Sequence, residues 1–119
     1  MKYMLLIYGN PEKEPQFNTP EFGEMLAGYE AASEKMEKDG VFLGGDGLKE
    51  VDSASCLRIV SGKVETMDGP FAETREYLGG YYLIDVADLD AAFEYAKLIP
   101  HANYGTIEIR PVMTVEDYQ

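Results

Sequence analysis

The chain has 119 residues, 45% of them apolar, and 22 acidic against 10 basic residues give it a net charge of −12. That length supports one packed core rather than two, and the apolar share excludes a disordered chain. Such acidity works against nucleic-acid and anionic-membrane partners, whose phosphates it repels at long range; it serves solubility, with a pocket for a cationic ligand as the sharper alternative.

Met1-Lys2 leads at once into the apolar run Tyr3-Met4-Leu5-Leu6-Ile7-Tyr8. The run is too short for a membrane span and no cleavage region follows it, so no targeting segment is expected. Six β-formers closed by Gly9-Asn10-Pro11 predict a strand over 3–8. The run lacks polar alternation, which predicts cover on both of its faces.

Gly9 to Asn18 reads as a loop. Thr19-Pro20-Glu21 then supplies a hydroxyl cap, a proline at the first helical position and a carboxylate in the positive first turn. Phe22, Met25, Leu26, Tyr29, Ala32 and Met36 recur at helical spacing, and Gly40 can stop the helix in the left-handed conformation. Val41 to Leu43 is a short strand running into Gly44-Gly45-Asp46-Gly47. That run lacks the Lys-Ser/Thr and following helix of a phosphate loop, so it predicts a bulge or bend.

Cys56 to Val60 and Lys63 to Met67 flank Ser61-Gly62, a tight hairpin turn. As the sole cysteine, Cys56 forms no internal disulfide or cysteine zinc site; it is expected to fill a small core space in a chain of the reducing cytoplasm. Gly80 to Val86 predicts another strand, with Tyr82, Ile84 and Val86 on one side. Asp88 caps a second helix whose stripe is Leu89, Ala92, Phe93, Ala96 and Ile99, and Pro100 ends it. The last strand runs from Gly105 to Val112, with Ile107 and Ile109 inward and Glu108 and Arg110 outward, before a polar tail from Met113.

This order, β-α-β, a hairpin, then β-α-β, predicts an α+β fold: a ferredoxin-like split-βαβ sheet with an extra hairpin, in one domain spanning 1–119. Two helices cover one face of such a sheet. Tyr81, Leu83 and the alternate residues of the first strand would leave a contiguous apolar patch on the other. An identical subunit is the expected cover, burying on the order of 800 Å² per partner in a dimeric α+β barrel. The pairing would enclose a cleft with Glu108 and Arg110 near its mouth.

The most distinctive stretch is Asp68-Gly69-Pro70-Phe71-Ala72-Glu73-Thr74-Arg75-Glu76. Pro70 pushes Gly69 toward extended backbone, and Asp68 can accept amides of the bend that follows. One helical turn here would put Glu73 and Glu76 on a shared face. They then form an acid–base pair if burial raises one of them, or merely pair with Arg75. His101, the one histidine, is of the residue type that exchanges protons near neutral pH; the plainer alternative is an exposed loop side chain beyond Pro100. Arg110 suits a carboxylate ligand or a cross-strand pair.

Asp68-Gly69-Pro70-Phe71 with Glu73 and Glu76 resembles the DGPF-domain branch of the YCII-related family. So do the opening 1–8, the block Leu78-Gly79-Gly80-Tyr81-Tyr82-Leu83-Ile84-Asp85-Val86 and the ending 105–112. The resemblance implies a dimeric α+β barrel, and a link in some members to sigma factors of the extracytoplasmic-function type. The wider family carries a histidine–aspartate pair as general acid and base. Here Tyr29 stands near the histidine's place and Ile99-Pro100-His101 replaces an Asp-Pro pair, so that dyad is not carried over.

Three roles follow. The first is a homodimer binding a small molecule in a cleft bordered by Asp68, Phe71, Glu73, Glu76, Tyr82 and Arg110, in the service of a regulatory system. The second is an acid–base enzyme using His101 and Glu73 in that cleft. The third is a protein–protein adaptor for a sigma-like regulator. No cofactor and no metal site is expected.

Overall fold

The computed structural model describes residues 1–119. Strands β1 (Lys2–Gly9), β2 (Phe42–Gly47), β5 (Tyr77–Asp85) and β6 (Thr106–Pro111) form one sheet in the order β2-β5-β1-β6, and every pairing is antiparallel. Helices α1 (Pro20–Lys38) and α2 (Leu89–Ala96) connect them, giving the ferredoxin-like α+β fold. Strands β3 (Ser55–Val60) and β4 (Lys63–Asp68) pair only with each other, as the added hairpin.

Local chemistry sets the ends of the helices. The Thr19 side chain accepts the Phe22 amide at 3.2 Å, and the Asp88 carboxylate accepts the Ala91 amide at 2.9 Å. Gly40 closes α1 with φ of 73°. One core then forms between the helices and a single sheet face. It joins Tyr3, Leu5 and Ile7 of β1 and Tyr82 and Ile84 of β5 to Met36, Ala92, Ala96 and Ile99. Met4, Leu6 and Tyr8 point to the opposite face and stay half-buried.

Several local expectations need correction. β2 continues through Gly44-Gly45-Asp46-Gly47, with the register shift falling between Phe42 and Gly44; backbone pairing to β5 carries the strand where side chains do not. α2 stops at Ala96, and Pro100 opens a 3-10 turn over Pro100–Ala102 rather than closing the helix. A 3-10 turn, Val115–Tyr118, lies within the polar tail. Cys56 sits half-buried on the hairpin, its thiol donating to the Gly69 carbonyl at 3.3 Å, not in the core.

The Asp68–Glu76 stretch forms no helical turn. Gly69 has φ of 90° instead of extended backbone, a conformation open to glycine before proline, and its amide donates to the Ala54 carbonyl at 2.7 Å. The hairpin projects from the body: the radius of gyration is 16.5 Å, against about 13.5 Å for a compact chain of this length.

Candidate functional site

Asn10, buried at the end of β1, folds the following loop back on the sheet. Its carbonyl accepts the amides of Lys13 and Glu14, and its side chain accepts the Glu12 amide at 3.0 Å. This turn aims Glu14 inward. Tyr77, at the start of β5, donates its hydroxyl to one Glu14 oxygen at 2.5 Å. His101 Nε2 stands 2.7 Å from the other oxygen, and Tyr29 Oη of α1 lies 2.5 Å from His101 Nδ1. Four side chains from four separate segments thus form one hydrogen-bonded chain, Tyr77–Glu14–His101–Tyr29.

Gly9 makes the arrangement sterically feasible. A β-carbon there would come within 2.6 Å of a Glu14 oxygen and 2.7 Å of the Tyr77 ring.

The donor and acceptor roles follow from chemistry. An ionised carboxylate only accepts, so Nε2 carries the proton toward Glu14; neutral Nδ1 then accepts from the Tyr29 hydroxyl. The side chains of His101 and Glu14 are only 11% and 18% exposed, which keeps water from competing for these bonds. Burial, above all, pushes the Tyr29 hydroxyl far above its ordinary value. Burial and the Glu14 hydrogen bond do the same to Tyr77. Both phenols therefore remain protonated, able to relay a proton without resting as anions.

This chain lines one end of a cavity of about 790 Å³ between α1 and the sheet. Met25, Tyr29, Ser33 and Glu37, spaced four apart along one stripe of α1, form its roof. Ile7, Tyr82, Gly45, Gly47 and Gly80 lie beneath. Ser33 Oγ and Tyr82 Oη form a second polar point, 2.8 Å apart. No group of three or more His, Cys, Asp or Glu side chains converges as a metal site.

The residues singled out from the sequence are dispersed. His101 and Tyr82 line this cavity; Asp68, Phe71, Glu73, Glu76 and Arg110 are not among its walls. His101 is buried in the turn after Pro100, not exposed on a loop. Arg110 pairs across from Met4 and so faces the open side of the sheet, away from Tyr82. Asp68 ends β4, while Phe71 and Glu73 are exposed on the bend and Glu76 is half-buried. Arg75 approaches Glu12, at 4.0 Å, instead of its neighbouring glutamates. The cavity lies between α1 and the sheet, on the face opposite the cleft expected between two sheets.

Glu14 and Tyr77 went unnoticed in the sequence. The signal that could have found them is Asn10 before Pro11, a turn-former that returns the chain toward β1.

The YCII-related domain matches residues 1–116. The chain belongs to the YCII-related family. A relative from Rhizobium meliloti (strain 1021), "Uncharacterized protein R00369", is 34% identical over 114 residues, covering 94% of this chain and 92% of that protein. Among solved structures, the 5-chloro-2-hydroxyhydroquinone dehydrochlorinase TftG from Burkholderia phenoliruptrix AC1100, in complex with 2,5-dihydroxybenzoquinone, superposes with a TM-score of 0.51. It covers 98% of both chains at 9% identity, a likeness of fold. Within this YCII-related chain, Tyr29 and His101 are in hydrogen-bond contact.

Proposed function

We propose that this YCII-related protein binds a small molecule in the cavity under α1 and moves a proton on it by general acid–base chemistry. The observation that carries this reading is the Tyr77–Glu14–His101–Tyr29 chain opening on that cavity. Tyr29 takes a proton from the ligand as its own passes to His101 Nδ1. The imidazolium so formed is held by Glu14, which Tyr77 anchors, and the reverse transfer returns the proton to a second ligand atom. Burial makes each step efficient because the groups are ordered and dry before the ligand arrives. The fold neighbour TftG is in complex with a ring compound, 2,5-dihydroxybenzoquinone, which supports a small-molecule ligand by analogy.

A panel of cyclic and acyclic ketones and 1,3-dicarbonyl compounds, followed by NMR for protein-accelerated exchange of acidic C–H for solvent deuterium, tests the reading. Exchange lost in Tyr29→Phe and His101→Gln is expected. Exchange that survives both substitutions would remove it.

The finer assignments share this standing. We place the chain in the DGPF branch on the 68–76 stretch, and read it as one domain of the cytoplasm. No helix is long and apolar enough to cross a membrane. We also infer a homodimer through the open sheet face, where Met4, Leu6 and Leu83 remain half-buried in one copy; sedimentation showing single copies at high concentration would refute it. A sigma-like regulator is the alternative partner, with Asp68, Phe71, Glu73, Glu76 and Arg110 as candidate contacts.

A further inference from the structure

Charge is unevenly placed on the walls of the cavity. Of the ten basic side chains in the sequence, Lys49 alone is among those walls, and it is exposed. The acidic members are Glu14, Glu37, Asp46 and Glu50. Asp46 is the cross-strand partner of Tyr81 and accepts its hydroxyl at 3.0 Å, so its carboxylate lies on the open side of the sheet. Glu37 and Glu50 are exposed and outnumber Lys49.

Glu14 differs from all of these. Its side chain is only 18% exposed, and its two oxygens are held by Tyr77 and His101, both neutral in the resting relay. His101 is its one ion-pairing neighbour; no lysine or arginine pairs with it. The hydrogen bonds satisfy its lone pairs and leave its charge standing. A dry carboxylate with no cation beside it is costly. A cation entering the cavity lowers that cost, and an anion raises it.

The walls are also aromatic. Tyr29 and Tyr77 belong to the same relay as Glu14, so their neutral rings and its charge act at one end of the cavity. Phe42 meets Tyr82 edge to face, with ring centres 6.2 Å apart. Ring faces of this kind attract an ammonium group that has shed its water.

Proton transfer points the same way. Removing a proton from a neutral ligand leaves an anion, and no buried lysine or arginine is present to hold it. Removing one from an ammonium nitrogen leaves a neutral amine. The N–H bond breaks toward Tyr29 Oη, the Tyr29 proton passes to His101 Nδ1, and the positive charge comes to rest on an imidazolium beside Glu14. The net charge of the occupied cavity is then the same before and after.

We propose that the cavity under α1 takes an organic ammonium ion, its cationic head among the tyrosine rings and in the field of Glu14. This rests on the cavity being the binding site, as proposed above, and deepens that reading by naming the ligand class.

Choline, its uncharged carbon isostere 3,3-dimethylbutan-1-ol and the anion 3,3-dimethylbutanoate share nearly one shape and differ in charge. In NMR titrations with Tyr29, Ser33 and Tyr82 as reporters, choline is expected to bind at least about tenfold tighter than the alcohol, and the carboxylate weakest. That order should persist in about 1 M sodium chloride, where the screening length falls to about 3 Å and the exposed acidity is muted. Glu14→Gln should bring choline to within about threefold of the alcohol. Glu34→Gln, which removes an exposed carboxylate of α1 outside the walls, should leave the order unchanged. Alcohol binding as tightly as choline, a preference erased by salt, or no binding of choline at the reporters would each overturn the ammonium assignment. These comparisons use the unsubstituted protein, so they decide the matter even if Glu14→Gln fails to fold. Deuterium exchange on the neutral ketones reads the relay by itself, so the ammonium assignment and the proton-transfer reading can fail separately.

Discussion

The helix-covered side of the sheet and the projecting hairpin both carry apolar side chains, yet they differ in almost every physical respect. Under α1, polar side chains from four segments satisfy one another around a cavity, and Leu5, Met36, Ile84 and Ile99 are fully buried. On the hairpin, Leu57, Ile59 and Val64 share one face and stand 61%, 67% and 60% exposed. An isolated two-stranded ribbon is marginal in water, so the arm adds little to the stability of the body that carries it. The contrast teaches that a stretch conspicuous in sequence, the proline bend at the base of this arm, need not be where the chemistry is assembled.

The sharpest way to break this contrast is a matched pair of truncations. Ile84→Ala should cost about 2–5 kcal/mol in urea unfolding, because it opens a cavity in a core with no room to collapse. Ile59→Ala should change stability by no more than about 0.5 kcal/mol. A large loss at Ile59 would mean that the arm is covered in solution, most simply by a second copy, and its destabilisation would then depend on protein concentration.

Next in size is the relay. His101→Leu leaves Glu14 and Tyr29 without their shared partner in a dry site, at a cost of about 1–3 kcal/mol. The same network has a pH signature. Burial raises the Tyr29 and Tyr77 hydroxyls above their ordinary value of 10.0, whereas in the unfolded chain they ionise near it. Stability is therefore intact below pH 10 and falls as pH rises beyond, since only the unfolded state gives up those protons freely. Tyr29→Phe and Tyr77→Phe should each flatten the fall, read as melting temperature against pH; an alkaline slope unchanged from that of the unsubstituted protein in both would show that neither phenol is buried as described.

Much of the fold was legible because local rules and burial agree: Thr19 and Asp88 cap as read, and β5 buries Tyr82 and Ile84 on one side as read. The two glycine stretches were less so. β2 runs on through Gly44–Gly47 because hydrogen bonds to β5 hold it, a tertiary effect that no propensity records. The site was half legible. His101 and Tyr82 stand out from the sequence, and Tyr29 does so as part of the α1 stripe and as the residue near the family histidine's place. Glu14 was one of several charges in a loop, and its partners lie 63 and 87 residues away. Separations of that size are set by the folded topology, not by spacing along the chain.

The smallest expected effect tests the contrast from the other side. Glu73 is exposed on the bend, and the nearby Arg75 leans toward Glu12 at 4.0 Å with both side chains largely in water, where such a contact contributes little. Glu73→Gln should therefore shift stability by less than about 0.5 kcal/mol and leave ligand affinity within about twofold. Glu14→Gln, the same chemical change, takes away the anionic acceptor that orients His101 and should weaken both. Parity between the two variants in a ligand titration would mean that the bend folds over the cavity once it is occupied. The arm would then be part of the site, and the division between a working half and a projecting one would hold only for the empty protein.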